Sequence, residues 1–182
     1  MKKKELADNI SAIAAFLTPE ECTIFIENSE RIGYTPATVE TDKGAIHIES
    51  VRSNNRIIFS DHELAINLWG RVSAFSPQKI GNSNAIGLNE MFRFYKYEPG
   101  QQFKKHKDQS YIRNDSEASY YTLLIYLNDN YTGGKTVFNE ISITPETGTA
   151  IIFRHDLEHT GSEVTSGIKY VLRTDIMFRL QP

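Results

Sequence analysis

Beyond Pro77 the sequence loses helical periodicity and breaks into short β-rich runs: MFRFYKY (91–97), SYYTLLIYL (119–127), KTVF (135–138), ISIT (141–144), TAIIF (149–153) and IKYVLRTDIMF (168–178). Turn residues punctuate them at Pro99-Gly100, Asn128 to Gly134 and Pro145 to Gly148. Many short strands with turn signals at this spacing point to a sandwich or barrel. The half before Pro77 reads differently. Thr18-Pro19-Glu20-Glu21 carries a helix start, with Thr18 as N-cap, Pro19 at the first helical position and Glu21 closing a capping box. That helix should run to about Arg31 and stop at Gly33. Ser60-Asp61-His62-Glu63 repeats the Ser-x-x-Glu pattern, and Leu64, Ala65, Leu68, Trp69, Val72 and Phe75 follow at helical spacing. The expected architecture is two helices packed on an antiparallel double-sheet barrel, with Ile10 to Leu17 as a first strand.

A chain of 182 residues is most economically one domain. Its net charge of -3 gives no electrostatic case for nucleic acid. The MKKK start reads as a solvated terminus. No apolar run approaches the ~20 residues needed to span a bilayer, and Asp8, Asn9 and Ser11 interrupt any signal-peptide core. The expectation is a soluble, cytoplasmic protein with no membrane partner. Cys22, the single cysteine, sits among Ile24, Phe25 and Ile26 and reads as a packed residue. His62 reads as exposed and His47 as a strand residue, neither with a ligand partner nearby. VRSNNRIIF (51–59) reads as a polar turn leading into a strand at Arg56–Phe59, with a substrate-facing loop as the alternative.

The chemistry-bearing stretch is YEPGQQFKKHKD (97–108). In an extended segment, residues two apart share a face, so His106 and Asp108 can reach one metal ion. HDLEHTG supplies a third ligand at His155 or His159. Two histidines and one carboxylate with open positions are the ligand set of non-haem Fe(II) oxygenases. The same HDLEH fails as a zinc-protease H-E-x-x-H, because Asp follows the first His.

YEPGQQFKKHKD, LLIYLN, GGKTVF, ETGTAIIF, EHTG and VTSGIKYVLRTD together resemble the 2-oxoglutarate- and Fe(II)-dependent dioxygenases, specifically the prolyl-4-hydroxylase-like group, over roughly residues 90–178. The resemblance implies a mainly β, α+β fold: a double-stranded β-helix (jelly-roll, cupin-like) core over 89–182, with the helix-containing N-terminal segment, residues 1–88, packed on one sheet of a single domain 1–182. It implies His106, Asp108 and His159 as iron ligands. His159 is preferred to His155 because Lys169 lies ten residues beyond it, the family spacing for the residue that holds the cosubstrate's distal carboxylate. Arg173, on the same strand face, is the alternative, or else an ion-pair partner of an acidic neighbour. Tyr97 and Thr136 match hydroxyl donors of the cosubstrate pocket, and Tyr126 matches more softly. Gly133 and Gly134 serve backbone geometry. Asp175 departs from the family pattern, where an aromatic or small residue stands. Tyr111 and Arg113, in the polar 109–118 segment, are candidates for substrate contact.

The implied cofactors are Fe(II), 2-oxoglutarate and O2, with ascorbate in addition. The implied reaction hydroxylates an unactivated C–H bond of a peptidyl proline and releases succinate and CO2. The alternatives are a hydroxylase of a free amino acid or other small molecule, a metal-dependent hydrolase, and a non-catalytic jelly-roll binding protein.

Overall fold

The computed structural model describes residues 1–41, 44–46, 48–139 and 141–181. The elements that build the site are, in order, β1 (Lys2–Ala7), β2 (Ile10–Ala14), α1 (Pro19–Ile32), β3 (Asn55–Ser60), α2 (His62–Val72), β4 (Ser83–Leu88), β5 (Met91–Tyr97) and β6 (Phe103–His106). There follow β7 (Ile112–Asn114), β8 (Glu117–Tyr126), β9 (Thr136–Phe138), β10 (Ser142–Ile143), β11 (Ala150–Arg154), β12 (His159–Gly161) and β13 (Lys169–Leu180). The major sheet runs β1-β2-β11-β8-β13-β5-β3, with every pair antiparallel. The minor sheet runs β6-β12-β9-β10.

Period-two alternation explains why β5, β8, β11 and β13 read as continuous apolar runs: both faces of the major sheet are covered. One set of positions (Phe92, Phe94, Leu123, Ile125, Ala150, Ile152, Leu172 and Ile176) joins Cys22, Leu68 and Val72 in a core beneath the helices. The alternate set (Tyr95, Tyr97, Tyr126, Ile151, Phe153 and Val171) turns toward the minor sheet and packs with Phe138 and Ile143. The second set forms the wall of the candidate site.

The α1 start has both bonds of the capping box, Glu21 N–H to Thr18 Oγ1 at 3.2 Å and Thr18 N–H to Glu21 Oε2 at 2.9 Å. At α2 the cap moves by one residue. Asp61, not Ser60, is the N-cap, accepting from Leu64 N–H at 2.9 Å. Ser60 is still the last residue of β3, paired with Met91, and a carboxylate caps as well as a hydroxyl.

The lysine run is solvent-exposed at Lys2 and Lys4, as a solvated terminus should be, and is also a strand. Lys2 pairs with Ala14 at the sheet's outer edge, where lysines discourage further pairing. The 109–118 segment is likewise partly ordered into β7, paired with the start of β8. Strand β4, which carries no clear alternation, pairs with the far end of β13. His62 is exposed on α2, and His47 lies outside the described residues. No helix of the described residues is long and apolar enough to cross a membrane.

Candidate metal centre and its pocket

His106 ends β6 and His159 begins β12, and the two are direct cross-strand partners. Opposed residues on antiparallel strands project to the same face at close range. Asp108 follows two residues after His106 and completes a set whose ligand atoms all lie within 4.8 Å of one another. His106 Nε2 is 3.8 Å from Asp108 Oδ1, and His159 Nε2 is 3.9 Å from Asp108 Oδ2.

Both imidazoles are oriented by the backbone. Nδ1–H of His106 donates to the Lys104 carbonyl at 2.7 Å, and Nδ1–H of His159 donates to the Leu157 carbonyl at 3.1 Å. That tautomer leaves each Nε2 lone pair free for a metal. Burial lowers both histidines, His106 to about 3, so both are neutral and able to coordinate. The Phe103 ring stacks on His106, with centroids 3.5 Å apart, while Phe138 and Phe153 pack around His159.

Asp108 is held from behind. Thr122 Oγ1 donates to its Oδ2 at 2.6 Å, and Arg173 Nη1 lies 2.8 Å from its Oδ1. Burial would raise this carboxyl, but Arg173, His159 and the Thr122 hydrogen bond hold it below the usual range. Arg173 stands cross-strand from Arg93, an arrangement that repels unless an anion intervenes. Asp175 is that anion. It is fully buried, with Arg173 Nη2 at 3.1 Å and Arg93 Nη1 at 3.4 Å. His155 lies against the same carboxylate, its Nε2 3.6 Å from Asp175 Oδ1, and is not in the ligand cluster.

A narrow cavity runs inward from His106, Asp108 and His159 to Lys169, past Tyr97 and Thr136. Lys169 is the first residue of β13 and 3% exposed. Its Nζ donates to the Gly134 carbonyl at 2.6 Å and lies 5.2 and 5.6 Å from the Tyr97 and Tyr126 ring centroids. Among the described residues no carboxylate pairs with it, and burial alone pushes it down to about 7. Gly134, at φ +62°, lets the chain pass so near that a Cβ would meet the Lys169 side chain at 3.1 Å. Tyr126 O–H donates to Thr136 Oγ1 at 2.7 Å, and the Tyr97 hydroxyl has no hydrogen-bond partner among the described residues.

Tyr111 and Arg113 line neither this cavity nor the groove at its mouth. Arg113 is committed to Glu90 at 2.5 Å and Glu117 at 3.0 Å. The 51–59 stretch, in contrast, reaches the site. The turn does lead into β3, and Arg52 and Asn54 within it are buried at 4% and 0% exposure. Arg52 bridges to Phe103 of β6, a tertiary pairing with no local sequence signal.

The donor set fits a divalent metal. The orphaned Lys169 ammonium at the cavity's inner end fits an anionic group bound beside that metal.

Residues 92–174 match the family model described as the 2OG-Fe(II) oxygenase superfamily. No curated protein matches the sequence. Among solved structures, the chain is similar to the viral collagen prolyl hydroxylase of Paramecium Bursaria Chlorella virus-1, solved as a 2OG complex. The two share 21% identity and a TM-score of 0.67, over 97% of this chain and 100% of that one. A Pseudomonas putida prolyl-4-hydroxylase is 15% identical, with a TM-score of 0.65 over 96% and 94% of the chains. A Trichoplax adhaerens prolyl hydroxylase, in complex with a hypoxia inducible factor peptide fragment, is 17% identical with a TM-score of 0.69 over 93% and 84%. At these identities the likeness is one of fold. The segment from Phe92 to Thr174, which carries all three candidate ligands, resembles the 2OG-Fe(II) oxygenase superfamily in sequence, and the chain shares the double-stranded β-helix fold of these structures.

Proposed function

We propose that this protein is an Fe(II)- and 2-oxoglutarate-dependent dioxygenase that hydroxylates a C–H bond of a peptidyl proline, releasing succinate and CO2. The observation that carries the reading is Lys169, a buried cation without a counter-anion among the described residues, opening on the same cavity as His106, Asp108 and His159. A mononuclear zinc hydrolase would need the three ligands but gives no reason for that cation. Support for proline comes from the folds it resembles, and support for a peptide from the Trichoplax enzyme solved with one.

His106 and His159 would hold the metal through Nε2, and Asp108 through a carboxylate oxygen. Fe(II), bound there with 2-oxoglutarate and O2, supplies the oxidising power that replaces hydrogen on carbon with hydroxyl. The remaining work belongs to the chain. Lys169 pairs with the cosubstrate's distal carboxylate, a charge-assisted bond made strong by its dry surroundings. Thr136, whose oxygen already accepts from Tyr126, is left with its own proton to donate to the same carboxylate. Tyr97 adds a second hydroxyl. Arg173 positions Asp108 rather than the cosubstrate, because both Asp108 and Asp175 already engage its guanidinium. Phe103, Phe138 and Phe153 keep water from the histidines.

The test is to load the protein anaerobically with Fe(II), add 2-oxoglutarate and proline-containing peptides, and admit O2. Succinate in step with a one-oxygen mass gain on a peptide is the expected result. No succinate across the peptide set overturns the reading.

A further inference from the structure

A second, wider depression of about 550 Å³ opens outside the metal centre and shares Tyr95, Phe103, His106, Asp108 and Arg173 with the inner cavity. Anything lying in it is therefore in contact with two of the three candidate metal ligands, His106 and Asp108. Its charge is one-sided. Arg52, Arg56, Arg93, Arg173 and Lys107 line it, and among the described residues the metal-ligand candidate Asp108 is its one acidic lining residue. Asp175, behind the wall, offsets Arg93 and Arg173.

Among the described residues Arg52 has no such compensation. Its guanidinium carbon lies 4.6 Å from the Tyr95 ring centroid and 4.3 Å from that of Phe103, so its plane is held by aromatic contacts. Its Nε donates to Asn54 Oδ1 at 2.7 Å, and its Nη2 is buried with no partner. An arginine that is 4% exposed, held by neutral groups only and with an idle donor, is costly without an anion to meet it. A fixed guanidinium with donors to spare matches a carboxylate.

We propose that this groove receives an acidic segment of the substrate peptide, with an Asp or Glu carboxylate seated against Arg52 beside the hydroxylated residue. The inference rests on the oxygenase reading for which residue is modified, but not for the binding itself. The depression, at about 550 Å³, has room for more than one small acid side chain. The apolar side chains of Val51, Ile58 and Met91 lie among the cations, which suits a peptide better than a bare polyanion.

The experiment uses the protein loaded with Mn(II) and 2-oxoglutarate, and two labelled peptides. In one, Glu flanks a central Pro on both sides; in the other, Gln replaces each Glu. Fluorescence anisotropy is read at low and moderate salt. The Glu peptide should bind about tenfold more tightly at low salt, the size expected of one charged hydrogen-bonded contact. Salt should shrink that preference. Arg52→Gln should bring the Glu-to-Gln ratio toward one while leaving Gln-peptide affinity nearly unchanged. A merely structural Arg52 would weaken both peptides alike, so an unchanged ratio in the variant overturns the assignment to Arg52. Equal binding of the two peptides to the parent overturns the inference outright, and that measurement needs no folded variant. Displacement of the Glu peptide by free glutamate at equal concentration overturns the peptide form of it. Succinate release by the Fe(II)-loaded parent, assayed alongside, separates the two ideas. Turnover without Glu preference sinks only the groove proposal, whereas Glu preference without turnover sinks only the oxygenase.

Discussion

Lys169 and Arg173 are buried cations four residues apart on one face of β13, and their electrostatic circumstances are opposite. Arg173 has Asp108 at 2.8 Å and Asp175 at 3.1 Å. Lys169 has a carbonyl, two aromatic faces and, among the described residues, no acid. Coulombic attraction from Asp108 and Asp175 keeps Arg173 firmly protonated despite its burial. Burial, with nothing to oppose it, brings Lys169 down to about 7. One end of the cavity is therefore balanced by the protein itself, while the other waits for an anion. Family spacing ranks Lys169 ahead of Arg173, and their partners in the fold separate the two on physical grounds.

The sharpest way to break this contrast is to delete each charge from the metal-free protein and measure unfolding in urea. Arg173→Met strands two buried carboxylates and should destabilise by about 3–5 kcal/mol. Lys169→Met removes a charge that has no partner to strand, replacing it with an apolar chain of similar length. At neutral pH its effect should lie within about 1 kcal/mol of zero, or be stabilising. Equal losses in the two variants would show that Lys169 has an ionic partner in the folded chain and would remove the reason for a ligand there.

The contrast sharpens when the cosubstrate and pH are varied. Lys169→Met should weaken 2-oxoglutarate binding to the Mn(II)-loaded protein by at least about 2 kcal/mol, some 30-fold. The pH effect has a definite sign. A lysine with a folded pKa near 7 and an unfolded value near 10.4 leaves the unfolded chain holding more protons between those limits. Stability of the metal-free parent should therefore rise with pH across that window, by on the order of 1.4 kcal/mol per unit from this group. Below pH 7 both states are protonated and the contribution is flat. Lys169→Met should lose that slope. Binding of 2-oxoglutarate at pH 8 should take up protons, detectable by calorimetry in buffers of different ionisation enthalpy. Absence of uptake would mean that Lys169 is already charged without the diacid.

The readable and unreadable features of the site divide by the range of the interactions. His106 and Asp108 sit two apart on one strand end, and the strand runs, the Thr18 capping box and the turn at Pro99-Gly100 are local patterns. Pairing β6 with β12 needs only the expectation of a closed β core. Arg52 belongs to the other class. Its polar neighbours Ser53 and Asn54 make it look solvated, and only tertiary pairing of Arg52 with Phe103 buries it. Asp175 is visible as an unusual residue, but its use depends on two arginines brought into cross-strand register, 93 with 173. The solvation of Lys2 to Ala7 is legible but its strand is not, because charge density outweighs β propensity in a short window, whereas an edge strand tolerates lysine.

The smallest effect is expected at Tyr126, and it tests whether the inner end is tuned beyond a bare ammonium. The Tyr126 hydroxyl donates to Thr136 and has no exposure of its own. Its loss should not change charge or cavity shape. Tyr126→Phe removes the donor that fixes the Thr136 hydroxyl, so Thr136 keeps the ability to donate to a carboxylate but loses its orientation. Net hydrogen bonds of this kind contribute about 0.5–1.5 kcal/mol, so 2-oxoglutarate affinity should fall between about two- and tenfold. Thr136→Val removes the donor itself and should cost more than Tyr126→Phe. In the double variant the tyrosine change should add nothing, because its only route to the ligand has gone. Additive losses would mean that Tyr126 reaches the cosubstrate independently of Thr136, and that the inner end of the cavity holds two separate hydroxyl contacts rather than one relayed pair.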